Sequence, residues 1–229
     1  MRFLRAGRRS RPIGFTSLAV LAIAGTALAG IAFAGADRQK VGGFGFTTKK
    51  PGASSGVKTS VSFPGATPET AVATITTKLA RGARLDTSVP DRCAATDEEL
   101  VAQGAAACPP SSKVGDGEIQ LTELGVGDLT LFNAEDETIF LTEFQNPPIR
   151  SVNREAARGR TQVIEIPEGV TLERVALEID RIQIDGESYL QTPSRCPDSG
   201  KWINTGTFVY RDGVEDRERR SAPCRKPGR

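Results

Sequence analysis

Histidine, the side chain most often used to move protons near neutral pH, is absent from this 229-residue chain. Its absence removes Ser-His-Asp and Cys-His nucleophilic catalysis, HExxH zinc sites and imidazole proton relays. The four cysteines, Cys93, Cys108, Cys196 and Cys224, have neither the short Cys-Cys spacing nor the His partners of a tight zinc site. Carboxylates, hydroxyls and lysines remain. Glu135, Asp136 and Glu137 form the densest acidic run and could hold Ca²⁺, which takes several oxygen ligands; Asp116, Glu118 and Asp128 could join only if the fold gathers them. The run lacks the Asp/Asn-Gly pattern of a calcium loop, so a solvated hairpin turn is expected there. Ser111-Ser112-Lys113 does not have S-x-x-K spacing, and its PPSSKVGDG context reads as a turn entering a strand. Gly115-Asp116-Gly117 is too short for a phosphate loop. A glycosidase needs two positioned carboxylates, and little aromatic surface exists to stack a sugar, with Trp202 and Tyr189 as the candidates. Trp202 is expected to pack beside a disulfide instead. No catalytic, cofactor-binding or metal-ligating residue is assigned, and no cofactor is expected.

The elements that would carry these residues are mostly strands. AVATITTKLA (71–80) is rich in Thr, Val and Ile, and Ala71, Ala73, Ile75, Thr77 and Leu79 share one face. GEIQLTEL (117–124), DLTLFN (128–133), ETIFLTEF (137–144) and TQVIEIP (161–167) follow, the last ended by Pro167. In TLERVALEIDRIQIDG (171–186), Val175, Leu177 and Ile179 share a face, whereas Ile182 and Ile184 are out of phase with them. That shift predicts a bulge at Asp180-Arg181, with an amphipathic helix as the rival for the stretch. One helix is well marked: Thr96-Asp97-Glu98-Glu99 fits a capping box, Leu100 and Val101 give an apolar patch, and Gly104 is a stop. At the end, KWINTGTFVYR (201–211), Asp212-Gly213 and VEDRERRSAP predict a hairpin whose return strand is a charged edge. Arg217, Glu218, Arg219 and Arg220 lie in it, and Arg225, Lys226 and Arg229 make a basic tail.

The N-terminus has the order of an export signal. Arg2, Arg5, Arg8, Arg9 and Arg11 precede an uncharged apolar run from Phe15 to Ala34, then Ala-x-Ala sites at 32–34 and 34–36. Residues 1–36 are therefore expected to be a signal peptide, with an uncleaved anchor as the alternative because the run approaches the ~20 residues that span a bilayer. Residues 37–58, rich in Gly, Ser, Thr and Lys, read as a flexible basic linker, although the two Phe of GGFGF could begin an edge strand. Residues 59–229 then form one domain. Its 20 basic and 27 acidic residues argue against a nucleic-acid partner. Cysteines of an exported chain usually pair, and Cys93–Cys108 and Cys196–Cys224 each bracket a compact local motif.

RCAATDEELVAQGAAACPPSSKVGDGE resembles a segment of exported actinobacterial proteins: a Cys, a short acidic helix, then an ACP-x-S-x-VG-x-G turn into a strand. TPSRCPDSGKWINTGTFVYRDG with the final Pro-Cys is similar to that family's C-terminal hairpin. The resemblance lies in separated pieces over roughly residues 75–224 and rests on Cys93, Cys108, Pro109, Gly115, Gly117, Cys196, Pro197, Gly200, Trp202 and Cys224. It implies an exported β domain with two local disulfides, and it brings no activity.

Strands at short spacing with one small helix predict an all-β antiparallel sandwich or partly open barrel, the helix lying between Cys93 and Cys108. The expected function is a non-catalytic envelope or extracellular module whose partner is an envelope polymer or another envelope protein. Membrane contact would come only through an uncleaved N-terminal segment. A carboxylate-dependent hydrolase of envelope polysaccharide and a calcium-dependent adhesion module are the alternatives.

Overall fold

The structure, a computed structural model, describes residues 38–157 and 159–225. The signal expected over 1–36 and the tail residues Lys226 and Arg229 lie outside the described residues. The strands are β1 (Lys40–Phe46), β2 (Val57–Ser62), β3 (Val72–Lys78), β4 (Arg84–Leu85), β5 (Lys113–Leu121), β6 (Gly125–Ala134), β7 (Glu137–Gln145) and β8 (Pro148–Ala156). They continue as β9 (Thr161–Glu165), β10 (Leu172–Ile179), β11 (Gln183–Ile184), β12 (Glu187–Ser188), β13 (Leu190–Gln191), β14 (Lys201–Tyr210) and β15 (Glu215–Pro223), with helix α1 at Asp97–Gln103. The chain forms the expected all-β antiparallel fold. A seven-stranded sheet runs β1-β2-β10-β5-β6-β7-β8 and a four-stranded sheet runs β15-β14-β3-β9. The sheets do not close into a barrel.

The core lies between the sheets. Val61, Leu121, Phe144 and Leu172 of the larger sheet and its flanks meet Val72, Ile75, Phe208 and Tyr210 of the smaller. A second cluster sits on the outer face of the larger sheet, where Phe132, Ala134, Ile139 and Leu141 are covered by α1 and the Cys93–Cys108 bridge. Apolar side chains on both faces explain why β7 and the end of β6, from Leu131 to Ala134, are buried almost throughout.

α1 is held as its sequence specifies. Thr96 Oγ1 accepts from the Glu99 amide, Glu99 Oε2 accepts from the Thr96 amide, and Gly104 closes the helix at φ 66°. Leu100 is fully buried, while Val101 points to solvent, so the apolar patch is Leu100 alone. Arg150 of β8 donates to the carbonyls of Val101 and Ala102, and Arg154 donates to Asp97 and the Ala95 carbonyl. The helix is thus clamped to the edge of the larger sheet by two arginines as well as by the disulfide.

Three features depart from the expectations. The segment 37–58 is no linker: residues 40–46 form the edge strand β1, and Val57 and Lys58 open β2. Its glycines weaken a strand in isolation. A register shift between Val41 and Gly43, however, brings Val41, Phe44 and Phe46 to the same inward side, where they pack with core residues. The folded unit therefore begins before Thr59. Residues 38–225 hold 23 basic and 27 acidic residues, a milder acidity than that of residues 59–229. Second, 171–186 is not one bulged strand. β10 stops at Ile179, and Gln183–Ser188 folds as a separate small hairpin through Asp185 (φ 51°) and Gly186 (φ 85°). The phase change at Asp180-Arg181 marks where the chain leaves the sheet. Third, the C-terminal hairpin joins β14 to β15 through Arg211–Val214, with the Tyr210 amide donating to the Val214 carbonyl, rather than through a two-residue turn.

Candidate functional site

The cysteine expectations are met. Cys93–Cys108 (Cα–Cα 5.0 Å) ties the two ends of the α1 segment, and Cys196–Cys224 (Cα–Cα 5.8 Å) ties the open end of the β14–β15 hairpin. No cysteine is free among the described residues.

The acidic candidates are dispersed. Glu135 and Asp136 make the β6–β7 turn, Glu135 contacts Arg92 at 3.2 Å, and Glu137 contacts Arg154 at 3.6 Å. Glu118 and Asp128 are direct partners on the outer face of β5 and β6, away from that turn, with Asp116 paired to Lys113 and Glu118 close to Arg174. No three metal-ligating side chains gather among the described residues. Ser112 is buried and donates to the Pro109 carbonyl, while Ser111 donates to Asp91 and Lys113 to Asp116, so each serves the turn. Gly115 and Gly117 also have a structural reason: a Cβ at either would run into the β10 backbone, at the carbonyls of Glu178 and Ala176 respectively.

The aromatic candidates are internal. Trp202 is 2% exposed, meets Phe46 edge-on at 5.4 Å between centroids, and donates its indole N–H to the Arg195 carbonyl. Tyr189 is buried among Val114, Leu129, Leu131 and Phe140. Neither presents a face to a sugar.

One carboxylate stands out that the sequence did not mark. Glu155, on β8, is 4% exposed and accepts from the Glu165 amide at 3.4 Å. Burial pushes its carboxyl up to about 7, opposed by that amide and reinforced by the Glu165 carboxylate. An acid raised in the native state holds its proton there while the unfolded chain, near 4.5, has lost it. Its stabilising contribution is complete below pH 4.5 and is lost as pH rises through 7. Between these values the fold should lose on the order of 2–3 kcal/mol on this account. Urea unfolding at pH 5 and pH 8 is expected to show that loss in the wild type relative to Glu155→Gln. Equal pH dependence in the two proteins would contradict it.

A concave, mostly apolar feature lies between the sheets. Val175, Leu177 and Ile179 of β10 face inward near the middle of the larger sheet, as do Ile119 of β5 and Ile164 of β9 opposite, yet all five stay partly exposed. The reason is missing side-chain volume: Gly206 occupies an inward position on β14, and the short Thr59 and Thr77 face the same space. Two cavities result, of about 80 and about 220 Å³. They share Ile75, Ile164, Val175 and Leu177 as walls. The smaller is bounded by Arg220 and Glu218 of β15 at the seam beside β1, and by Arg160 and Gln162 beyond it. The larger extends past Leu121, Phe144 and Leu172 to Asn153 and Glu165. Asn204, fully buried, fastens the β1 seam: its amide donates to the Phe44 carbonyl and its carbonyl accepts from the Ala80 amide.

No family model, curated protein or solved structure matches the chain. Sequence reasoning did not find these cavities, because their walls come from strands spread along the chain from β1 to β15. The one local signal was Gly206, a gap in the alternating inward face of Trp202, Asn204, Phe208 and Tyr210.

Proposed function

We propose that this protein is an exported, non-catalytic binding module of the cell envelope or extracellular space, and that its ligand is an apolar small molecule held between its two sheets. The carrying observation is that Val175, Leu177 and Ile179, inward-facing on a central strand, remain partly exposed around a lined cavity. A sandwich selected only for stability closes such space, since cavities cost stability in proportion to their volume. Small-molecule sites are concave and mostly apolar, with a few polar groups to orient the ligand. The two disulfides suit an oxidising compartment. Export is supported by the basic and apolar order of residues 1–36. The motifs around Cys93–Gly117 and Cys196–Trp202 support a place among the exported actinobacterial proteins they resemble.

A carboxylate-dependent hydrolase is the second reading, favoured by the neutral-range carboxyl of Glu155 beside Glu165. Glu165 borders the larger cavity, but Glu155 is sealed beneath it and borders neither. A general acid must reach the atom it protonates, which favours binding over catalysis. Titration calorimetry with dodecan-1-ol is expected to show saturable binding near one per chain, and Leu177→Trp, which fills both cavities, is expected to abolish it. Binding that survives in a folded Leu177→Trp protein would overturn the cavity as the site. Release of reducing sugar from envelope polysaccharide, lost in Glu165→Gln, would overturn the non-catalytic reading.

A further inference from the structure

The cavity wall carries one group that asks for a particular ligand chemistry. Arg220 lines the smaller cavity from β15, and its Nε is shielded from solvent with no hydrogen-bond partner. Its Nη2 lies 3.6 Å from Glu218 Oε2, beyond hydrogen-bond length, so that contact leaves Nε unmet. The side chain as a whole is 42% exposed, so its charge is partly solvated, but a donor shielded from water without a partner still costs stability. Such an orphan on the wall of an apolar space is answered by a ligand that brings an acceptor, and best by an anionic one, because charge-assisted bonds are the stronger kind. A carboxylate meets a guanidinium edge with matching geometry.

The shape of the space selects the rest of the ligand. Each cavity is below the roughly 300 Å³ at which ordinary ligand pockets begin. They adjoin, with Ile75, Ile164, Val175 and Leu177 lining both. From β15 the path crosses β14 and β3 to β9, about three inter-strand spacings or ~14 Å. A ligand reaching from one cavity to the other between these walls would be one flexible chain rather than a ring or paired chains.

Resting on the reading of the cavity as the binding site, we infer that the ligand is a single-chain amphiphile with an anionic carboxylate head. The head meets Arg220 at the β1–β15 seam and the chain passes beneath Val175 and Leu177 toward Leu121 and Phe144. Arg160, at the opposite mouth, already donates to the Leu79 carbonyl, which leaves Arg220 as the orphan of the two sides.

Dodecanoate and dodecan-1-ol, titrated into the full chain at pH 8, separate head from tail. Dodecanoate is expected to bind at least tenfold more tightly than the alcohol. Arg220→Gln should remove that preference, and Arg220→Lys, which keeps the charge but lacks Nε, should restore only part of it. A diacyl phosphatidic acid is expected not to compete. Equal affinity of acid and alcohol in the wild type, a comparison that needs no variant, would overturn the assignment of the head group. Competition by the two-chain lipid would overturn the single-chain assignment. Either result leaves the cavity itself as the site, whereas failure of the alcohol as well as the acid to bind removes the underlying reading.

Discussion

Trp202→Ala is expected to destabilise the protein by about 3–5 kcal/mol, the range for removing a large buried aromatic, and Trp202→Phe by much less. The side chain is almost wholly enclosed by Phe46, Ala80, Ala222 and the Cys196–Cys224 bridge, and its N–H is satisfied by the Arg195 carbonyl. Alanine would open a cavity and orphan that carbonyl together. Four distant stretches meet at this ring: β1, the end of β3, the 195–200 loop and β15. Guanidinium unfolding monitored by circular dichroism measures the loss directly. As the only tryptophan of the chain, Trp202 also reports on itself, with an emission resistant to iodide quenching expected in the wild type. A loss below about 1 kcal/mol, with efficient quenching, would place Trp202 on the surface and restore it as a sugar platform.

The second large effect concerns the C-terminal bridge. Replacing Cys196 and Cys224 together by Ser is expected to cost roughly 3–4 kcal/mol in the chain-entropy account, given the 28-residue separation. Removing Cys93–Cys108, with a separation of 15, should cost about 3 kcal/mol. The two lesions should differ in location. The first frees β15, whose Cys224 amide donates to the Gly200 carbonyl and whose neighbour Arg225 donates to Lys49. It should raise hydrogen exchange along β1 and β15. The second should raise exchange around α1 and the outer ends of β6 and β7. Non-reducing peptide maps check the pairing itself: a peptide joining Cys93 to Cys196 would contradict it.

What was legible in the sequence follows from how local each signal is. The α1 cap needs only Thr96 and Glu99, three residues apart, and the structure forms both of its hydrogen bonds. β5, β6 and β7 were read within a few residues of their ends because their alternation is strong and their turn, Glu135-Asp136, is acidic and short. β8 was missed. It is an edge strand that spends Arg150 and Arg154 on the helix and Ser151, Asn153 and Glu155 on the other face, so it shows no apolar alternation. β2 went unrecognised because its inward set is only Val57, Thr59 and Val61. β1 was read as linker because glycine dominates its composition, and its three inward apolar residues fall into phase only through a bulge. The cavity could not be read at all. A sequence shows which side chains point inward, but a space between sheets depends on what stands opposite, and the residues opposite Val175 and Leu177 lie on β3, β9 and β14.

The strand order imposes a schedule on a chain that emerges N-terminus first, from a ribosome or a translocation pore. β2 needs β10 on one side, and β3 needs β14, so neither sheet can be completed by the first half of the chain. Besides the β1–β2, β11–β12 and β14–β15 pairs, the β5–β8 meander, with α1 and the Cys93–Cys108 bridge, assembles from neighbours in sequence. The larger sheet is completed once β10 (Leu172–Ile179) appears, whereas β3 waits for β14 and β15, in the last thirty or so residues. The smaller sheet stays open until that end is out. It then closes in one late step, in which the β14–β15 hairpin completes the smaller sheet and its outer strand comes to rest beside β1.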